Sequence, residues 1–170
     1  MARFFTVYDM ESLKVIIETP RGSALKYQYD NNSHLFKLKK ILPVGMVFPY
    51  DFGFLPGTKG EDGDPLDILI VSEFNSFPGC VMECRIIGGF KARQTEKKNG
   101  KEIRNDRFFG VPVLSSVFSN VIELKHLPAE KIDQLEEFFI QYNKIEGKDF
   151  KVQEKMTSKK SVQLIKESRI

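Results

Sequence analysis

The sequence predicts an α+β domain in which an antiparallel β meander or barrel precedes an amphipathic helix. Three observations lead there. Short segments rich in Val, Ile, Phe and Tyr fill most of the chain before residue 114, turn dipeptides separate them, and after Pro128 the apolar residues switch to three- and four-residue steps. The length of 170 residues suits one domain spanning 1–170, with no stretch that resembles a linker.

Taken in order, the opening MARFFTVYDMES reaches Asp9 and Glu11 before any long apolar run, so it makes a poor signal peptide. No stretch approaches the roughly 18 apolar residues of a membrane span, and a cytoplasmic location with no membrane partner is the expectation. KVIIET (14–19), LKYQYD (25–30) and HLFKLKKIL (34–42) read as strands, with Asn31-Asn32 as the turn between the second and third. In MVFPYDFGFLPG, Phe48, Tyr50, Phe52 and Phe54 fall at every second position, so an extended chain shows all four rings to one side. Core packing is the ordinary reading of such a row, and a ligand-facing aromatic wall is the other. DILIV (67–71), VMECRIIGGF (81–90) and RFFGVPV (107–113) complete the strands. The polar stretch 91–106, KARQTEKKNGKEIRND, carries an Asn99-Gly100 turn signal and predicts a long hairpin loop. Ile132, Leu135, Phe138, Phe139 and Tyr142 then outline one helix, with Pro128 at its start and Gly147 as its stop. A shorter helix begins with Thr157 or Ser158 as N-cap and turns Val162 and Ile165 inward.

Composition narrows the function. A formal charge of +3 is compatible with an anionic ligand but too small to argue for nucleic acid. Cys80 and Cys84 have no second cysteine pair nearby, so a structural zinc site lacks ligands, and reduced, partly buried thiols are expected. His34 and His126 are isolated from each other and from any cysteine.

The stretch EDGDPLD (61–67) is the most informative. Two carboxylates about 5 Å apart at an effective dielectric near 20 repel by roughly 3 kcal/mol, which must be offset. A loop whose acids face water is one explanation, because Asp-Gly and Asp-Pro are strong turn dipeptides. Against it, Gly63 lets the chain bend and Pro65 fixes φ, so the turn can bring Asp67 round toward Asp62 and Asp64 at the start of a rigid strand. The spacing excludes an EF-hand. Carboxylates without His or Cys suit Mg²⁺, with Mn²⁺ as substitute, and Mg²⁺ usually bridges to substrate phosphates. Lys26, Lys40 and Arg107 are available to neutralise phosphate oxygens, provided the fold brings them to the turn.

EDGDPLDILIV resembles the D-x-D-P-x-D signature of the soluble family I inorganic pyrophosphatases. IETPRGSALKYQYD, FPYDFGFLPGT, GVPV and FFIQYNKIEGK are similar to that family's other segments, in the family's order over most of the chain. The resemblance implies a closed, OB-like five-stranded β-barrel with extra strands, flanked by two helices. It implies Mg²⁺-dependent hydrolysis of diphosphate and assembly into a homo-oligomer, dimer or hexamer. On the same basis Asp62 and Asp67 would hold metal, Asp64 would accept the proton of the attacking water, and Glu18 would orient this network. Lys26, Lys40, Arg107 and Tyr142 would bind substrate.

The sequence also departs from the family's pattern. Gln28, Gln94 and Asn105 stand at metal-binding carboxylate positions, Lys40 replaces an arginine, and Arg107 replaces a lysine. Phe52 replaces a tyrosine near the nucleophile, and Asn143 a lysine. Amides offer Mg²⁺ an oxygen but no charge, so this chain is expected to need more Mg²⁺ than a typical relative. Asp106, swung inward by a bulge, or Glu96 or Glu102 would be the replacements. A non-catalytic relative that binds phosphate or a phosphorylated partner is the alternative function. A nucleic-acid module on an OB-like sheet is a third, opposed by the acidic turn.

Overall fold

A computed structural model describes residues 11–170; residues 1–10, which bear on the signal-peptide reading, lie outside them. In chain order its elements are β1 (Ser12–Thr19), β2 (Leu25–Asp30), β3 (Leu35–Ile41), β4 (Asp51–Leu55), β5 (Leu66–Ile70), β6 (Val81–Glu96), β7 (Glu102–Arg104), β8 (Arg107–Pro112), α1 (Ala129–Ile145), β9 (Lys148–Met156) and α2 (Ser158–Glu167). β1 pairs antiparallel with both β4 and β6, β4 pairs with β5, β5 with β8, and β8 with β6, so five strands close on themselves. Closure removes the edges that an open sheet would expose. β2 and β3 form a separate hairpin. The β5–β8 pair is parallel, where an antiparallel meander is the sequence expectation.

Side-chain alternation builds a core on each face of the strand wall. Leu69, Ile87, Phe90 and Phe109 pack with Phe48 and Phe52 against Leu135, Phe139 and Tyr142 of α1. Ile68, Ile70, Ile86 and Phe108 pack with Val15 and Ile17 against Ile165 of α2. Burial on both faces explains why DILIV is a continuous apolar run rather than an alternating one. β1 and β4 approach so closely that a Cβ on Gly53 would lie 2.2 Å from the Ile16 carbonyl oxygen. Both helices match expectation. Pro128 immediately precedes α1, Gly147 follows it at φ +69°, and Thr157 caps α2 by accepting from the Lys160 amide.

The loop expected at 91–106 is largely sheet. β6 runs on to Glu96 because β9 pairs with it from Gly89 to Glu96, while β7 takes part of its other edge. Neither partner is visible in the local composition of that stretch. β9 itself, KDFKVQEKM, was not expected, because charged residues mask the inward-facing Phe150, Val152 and Met156. The aromatic row also divides. Phe48, Tyr50 and Phe52 join the core under α1, and Phe54 stacks on Tyr29 at 6.0 Å. No helix among the described residues is long and apolar enough to cross a membrane.

Candidate functional site

The acidic turn is held from several sides. Thr58 Oγ1 donates to the Leu55 carbonyl (2.6 Å) and accepts from the Leu66 amide (2.9 Å), closing the loop at its base. Within it, the Gly60 amide donates to the Asp64 carbonyl, the Asp64 amide donates to Asp62 Oδ1 (3.1 Å), and Gly63 takes the positive φ of +88° that the bend requires. Outside it, Glu61 Oε2 accepts the Arg104 amide at 2.7 Å, and the Lys59 amide donates to the Ser168 carbonyl. Asp62 and Asp64 are exposed, and Asp67, the second residue of β5, is half-buried.

These three aspartates share one cavity of about 420 Å³ with Glu18, Lys26, Gln28, Lys40, Phe52, Gln94, Asn105, Arg107 and Tyr142. Glu18 and Lys26 come from β1 and β2, and Gln28 and Lys40 from the β2–β3 hairpin. Phe52 comes from β4, Gln94 from β6, Asn105 and Arg107 from the approach to β8, and Tyr142 from α1.

One wall is the Glu18–Lys26 pair. Glu18 accepts from Lys26 Nζ at 3.2 Å and from the Tyr29 amide at 2.9 Å. Burial lowers the Lys26 pKa, opposed by Glu18 and Asp67, and its Nζ stands 3.9 Å from the Phe52 ring centroid. Arg107 Nη1 lies 2.8 Å from Asp67 Oδ2 and also donates to Asn105 Oδ1. Asn105 Nδ2 in turn donates to Gln94 Oε1 at 2.8 Å. At the rim, Lys40 pairs with Glu146 and lies 4.1 Å from the Tyr142 ring centroid. Burial lowers the Lys40 pKa and raises that of Tyr142, which keeps the phenol a neutral hydrogen-bond donor. Gln28 Oε1 accepts from Lys39 Nζ at 2.5 Å.

Burial also raises the pKa of Asp67, with Arg107 and Lys26 opposing, and that of Asp62, helped by repulsion from Asp67 and Asp64. Among the described residues no three His, Cys, Asp or Glu side chains close round one point. The aspartates thus share a wall without converging into a cage. Hard oxygen donors spread round an open cavity suit a divalent cation that takes one or two carboxylates, keeps water and completes its shell with ligand phosphate.

Asp106 does not swing inward. Its carboxylate accepts from the Ala92 amide at 3.0 Å and from Arg104 at 2.6 Å, and these partners hold it out of the cavity that Asn105 lines. Glu102 pairs with Arg93 away from the cavity. Of the three suggested replacements only Glu96 lines the wall, where it accepts from Asn99. Asn143 lies almost wholly inside α1's packing and donates to the Phe139 carbonyl. The sequence named Glu61 in the acidic stretch without giving it a role, and it left Glu146 unnoticed; both line the cavity. Glu146 was signalled by its place four residues after Tyr142, at the C-cap of α1.

A family model described as inorganic pyrophosphatase matches residues 15–169. An inorganic pyrophosphatase of Geobacillus stearothermophilus is 35% identical over 141 residues, 83% of this chain and 82% of its own. One from Saccharolobus solfataricus is 37% identical over 136 residues, 80% of this chain and 77% of its own. The crystal structure of inorganic pyrophosphatase from Thermus thermophilus superposes with a TM-score of 0.84 at 30% identity, covering 93% of this chain and 89% of that one.

Proposed function

The chain belongs to the inorganic pyrophosphatase family and hydrolyses inorganic diphosphate to two phosphates; we propose that it does so in the cavity beside the acidic turn, with a divalent metal that is Mg²⁺ or, in its place, Mn²⁺. The observation that carries this reading is the meeting of carboxylates and cations from separate elements on one cavity wall. We take residues 1–170 as one domain, in keeping with the span of the family match. The working form is a homo-oligomer, dimer or hexamer, which light scattering on the purified protein tests. A cytoplasmic location accords with the lack of a membrane-crossing helix among the described residues.

Asp62 and Asp67 would hold the metal, with Gln28, whose oxygen accepts from Lys39, as an uncharged oxygen elsewhere on the same wall. When bound, the cation supplies charge that lowers the pKa of water and offsets charge on the leaving phosphate. Asp64, exposed to the cavity beside them, takes the proton of the attacking water. Glu18 orients Lys26, and Lys26 and Arg107, both lining the cavity, hold phosphate oxygens. Lys40 adds charge at the rim without a bidentate fork. Tyr142 contributes a neutral hydroxyl. Gln94 and Asn105 are occupied with each other and with Arg107, so they act on the arginine rather than as metal ligands.

This activity displaces the reading of phosphate binding without turnover. The acidic wall also opposes nucleic-acid binding, which needs a basic groove. The test is phosphate release from diphosphate across a Mg²⁺ titration. Asp64→Asn and Asp67→Asn should each lose most of the turnover, and full activity in both would remove the site.

A further inference from the structure

Arg107 sits on one oxygen of Asp67, a carboxylate assigned above to the metal. Its Nη1 makes three contacts at once, to Asp67 Oδ2 at 2.8 Å, to Asn105 Oδ1, and to the Asp106 carbonyl at 3.1 Å. The guanidinium carbon lies 5.3 Å and 5.5 Å from the ring centroids of Phe139 and Phe150, neighbouring rings against which the side chain packs. Gln94 secures Asn105, and Asn105 secures the arginine. Amides at both positions hold the guanidinium without neutralising it, so its charge is directed at Asp67. A separate observation shows that the side chain has donor capacity left over. Its Nε is buried and has no hydrogen-bond partner among the described residues.

We propose that Arg107 is an internal counter-ion for Asp67, that it must leave this carboxylate before Asp67 can ligate a divalent cation, and that diphosphate oxygens draw it away. Metal and diphosphate binding are then positively coupled through this one side chain. The proposal rests on the assignment of the cavity as the diphosphatase site. A buried arginine released without another anion is costly, so it stays on Asp67 until an anion competes for it. Phosphate oxygens match the guanidinium fork and are the natural competitor. Linkage makes the coupling equal in both directions.

The test is calorimetric titration of Mn²⁺ into metal-free protein without diphosphate, comparing wild type, Arg107→Met, Arg107→Lys and Lys40→Met. The last variant removes an equal charge from the same cavity, but one paired with Glu146. Arg107→Met should bind Mn²⁺ about tenfold tighter than wild type, within the usual range of coupling between sites. Arg107→Lys, unable to hold Asn105 and Asp67 together, should gain about threefold, and Lys40→Met should gain less than either. Unchanged affinity in Arg107→Met, or an equal gain in Lys40→Met, overturns the proposal. Thermal melting establishes that each variant folds, and if Arg107→Met does not, the Arg107→Lys result decides alone. Phosphate release by wild type is measured separately. Its absence would sink the activity assignment while leaving the Mn²⁺ comparison intact.

Discussion

Lys26 Nζ lies 3.2 Å from Glu18 Oε2, with the two side chains only 10% and 9% exposed. Removing one partner therefore strands the other. Glu18→Ala is expected to cost about 3 kcal/mol, the scale of an uncompensated buried charge, and also leaves the Tyr29 amide without its acceptor. Urea unfolding measures this. The double variant Glu18→Ala/Lys26→Met should regain a good part of the loss, and a single variant within about 1 kcal/mol of wild type would contradict the pairing.

Metal binding should depend on pH in a stated direction. The Asp62 and Asp67 pKa values are raised, so protons compete for these carboxylates at a pH where an ordinary aspartate is already ionised. Apparent Mg²⁺ affinity should climb as pH rises through the raised values of these carboxylates and then level. Without metal, the folded state holds the Asp67 proton more tightly than the unfolded state does. Its contribution to stability is complete below the ordinary value of 3.8 and is lost as pH rises through the folded value. Asp67→Asn should flatten that slope in metal-free unfolding curves.

Glu61 ties the acidic turn to β7 through the Arg104 amide at 2.7 Å. Glu61→Ala should cost only about 1 kcal/mol of global stability, because the bond is exposed. It should nevertheless raise the Mg²⁺ concentration needed for half-maximal phosphate release, since Asp62 and Asp64 lose their lateral support. An unchanged Mg²⁺ titration would show that the turn holds itself.

Asn105→Asp places a carboxylate against Arg107. The added charge should lower the half-saturating Mg²⁺ concentration by up to about tenfold, equivalent to ~1.4 kcal/mol. A rise instead would mean that the new carboxylate only binds the arginine more firmly. The same titration on Gln94→Glu shows how far the effect reaches.

Burial pushes the Cys84 thiol up to about 12, whereas Cys80 is half-buried. At neutral pH a thiol reagent should modify Cys80 first and reach Cys84 only after unfolding. The stability contribution of Cys84 is complete below the ordinary value of 9.0 and is lost as pH rises toward about 12. Cys84→Ala should reduce the alkaline slope of the unfolding free energy.

Much of the fold was legible because its signals are short-range. The strand at residues 25–30, the Asn31-Asn32 turn and the Thr157 cap each depend on a few neighbouring residues, and each stands where expected. β9 and the extension of β6 were hidden because each is a strand chiefly through the other, and a charged alternating segment does not reveal its distant partner. The site residues were legible as a set through the family's motifs. Their partners were not, and Asp106, adjacent in sequence to Asn105, faces Arg104 rather than the cavity.

By itself the sequence determined the element order, the acidic turn, the family and the chemical type of each wall residue, since periodicity, turn chemistry and motif spacing act along the chain. Tertiary structure alone decided which charges meet: Glu18 with Lys26, Asp67 with Arg107, Lys40 with Glu146. Those pairings arise where separate strands and a helix end converge, and their strength comes from burial that no local stretch of residues can supply.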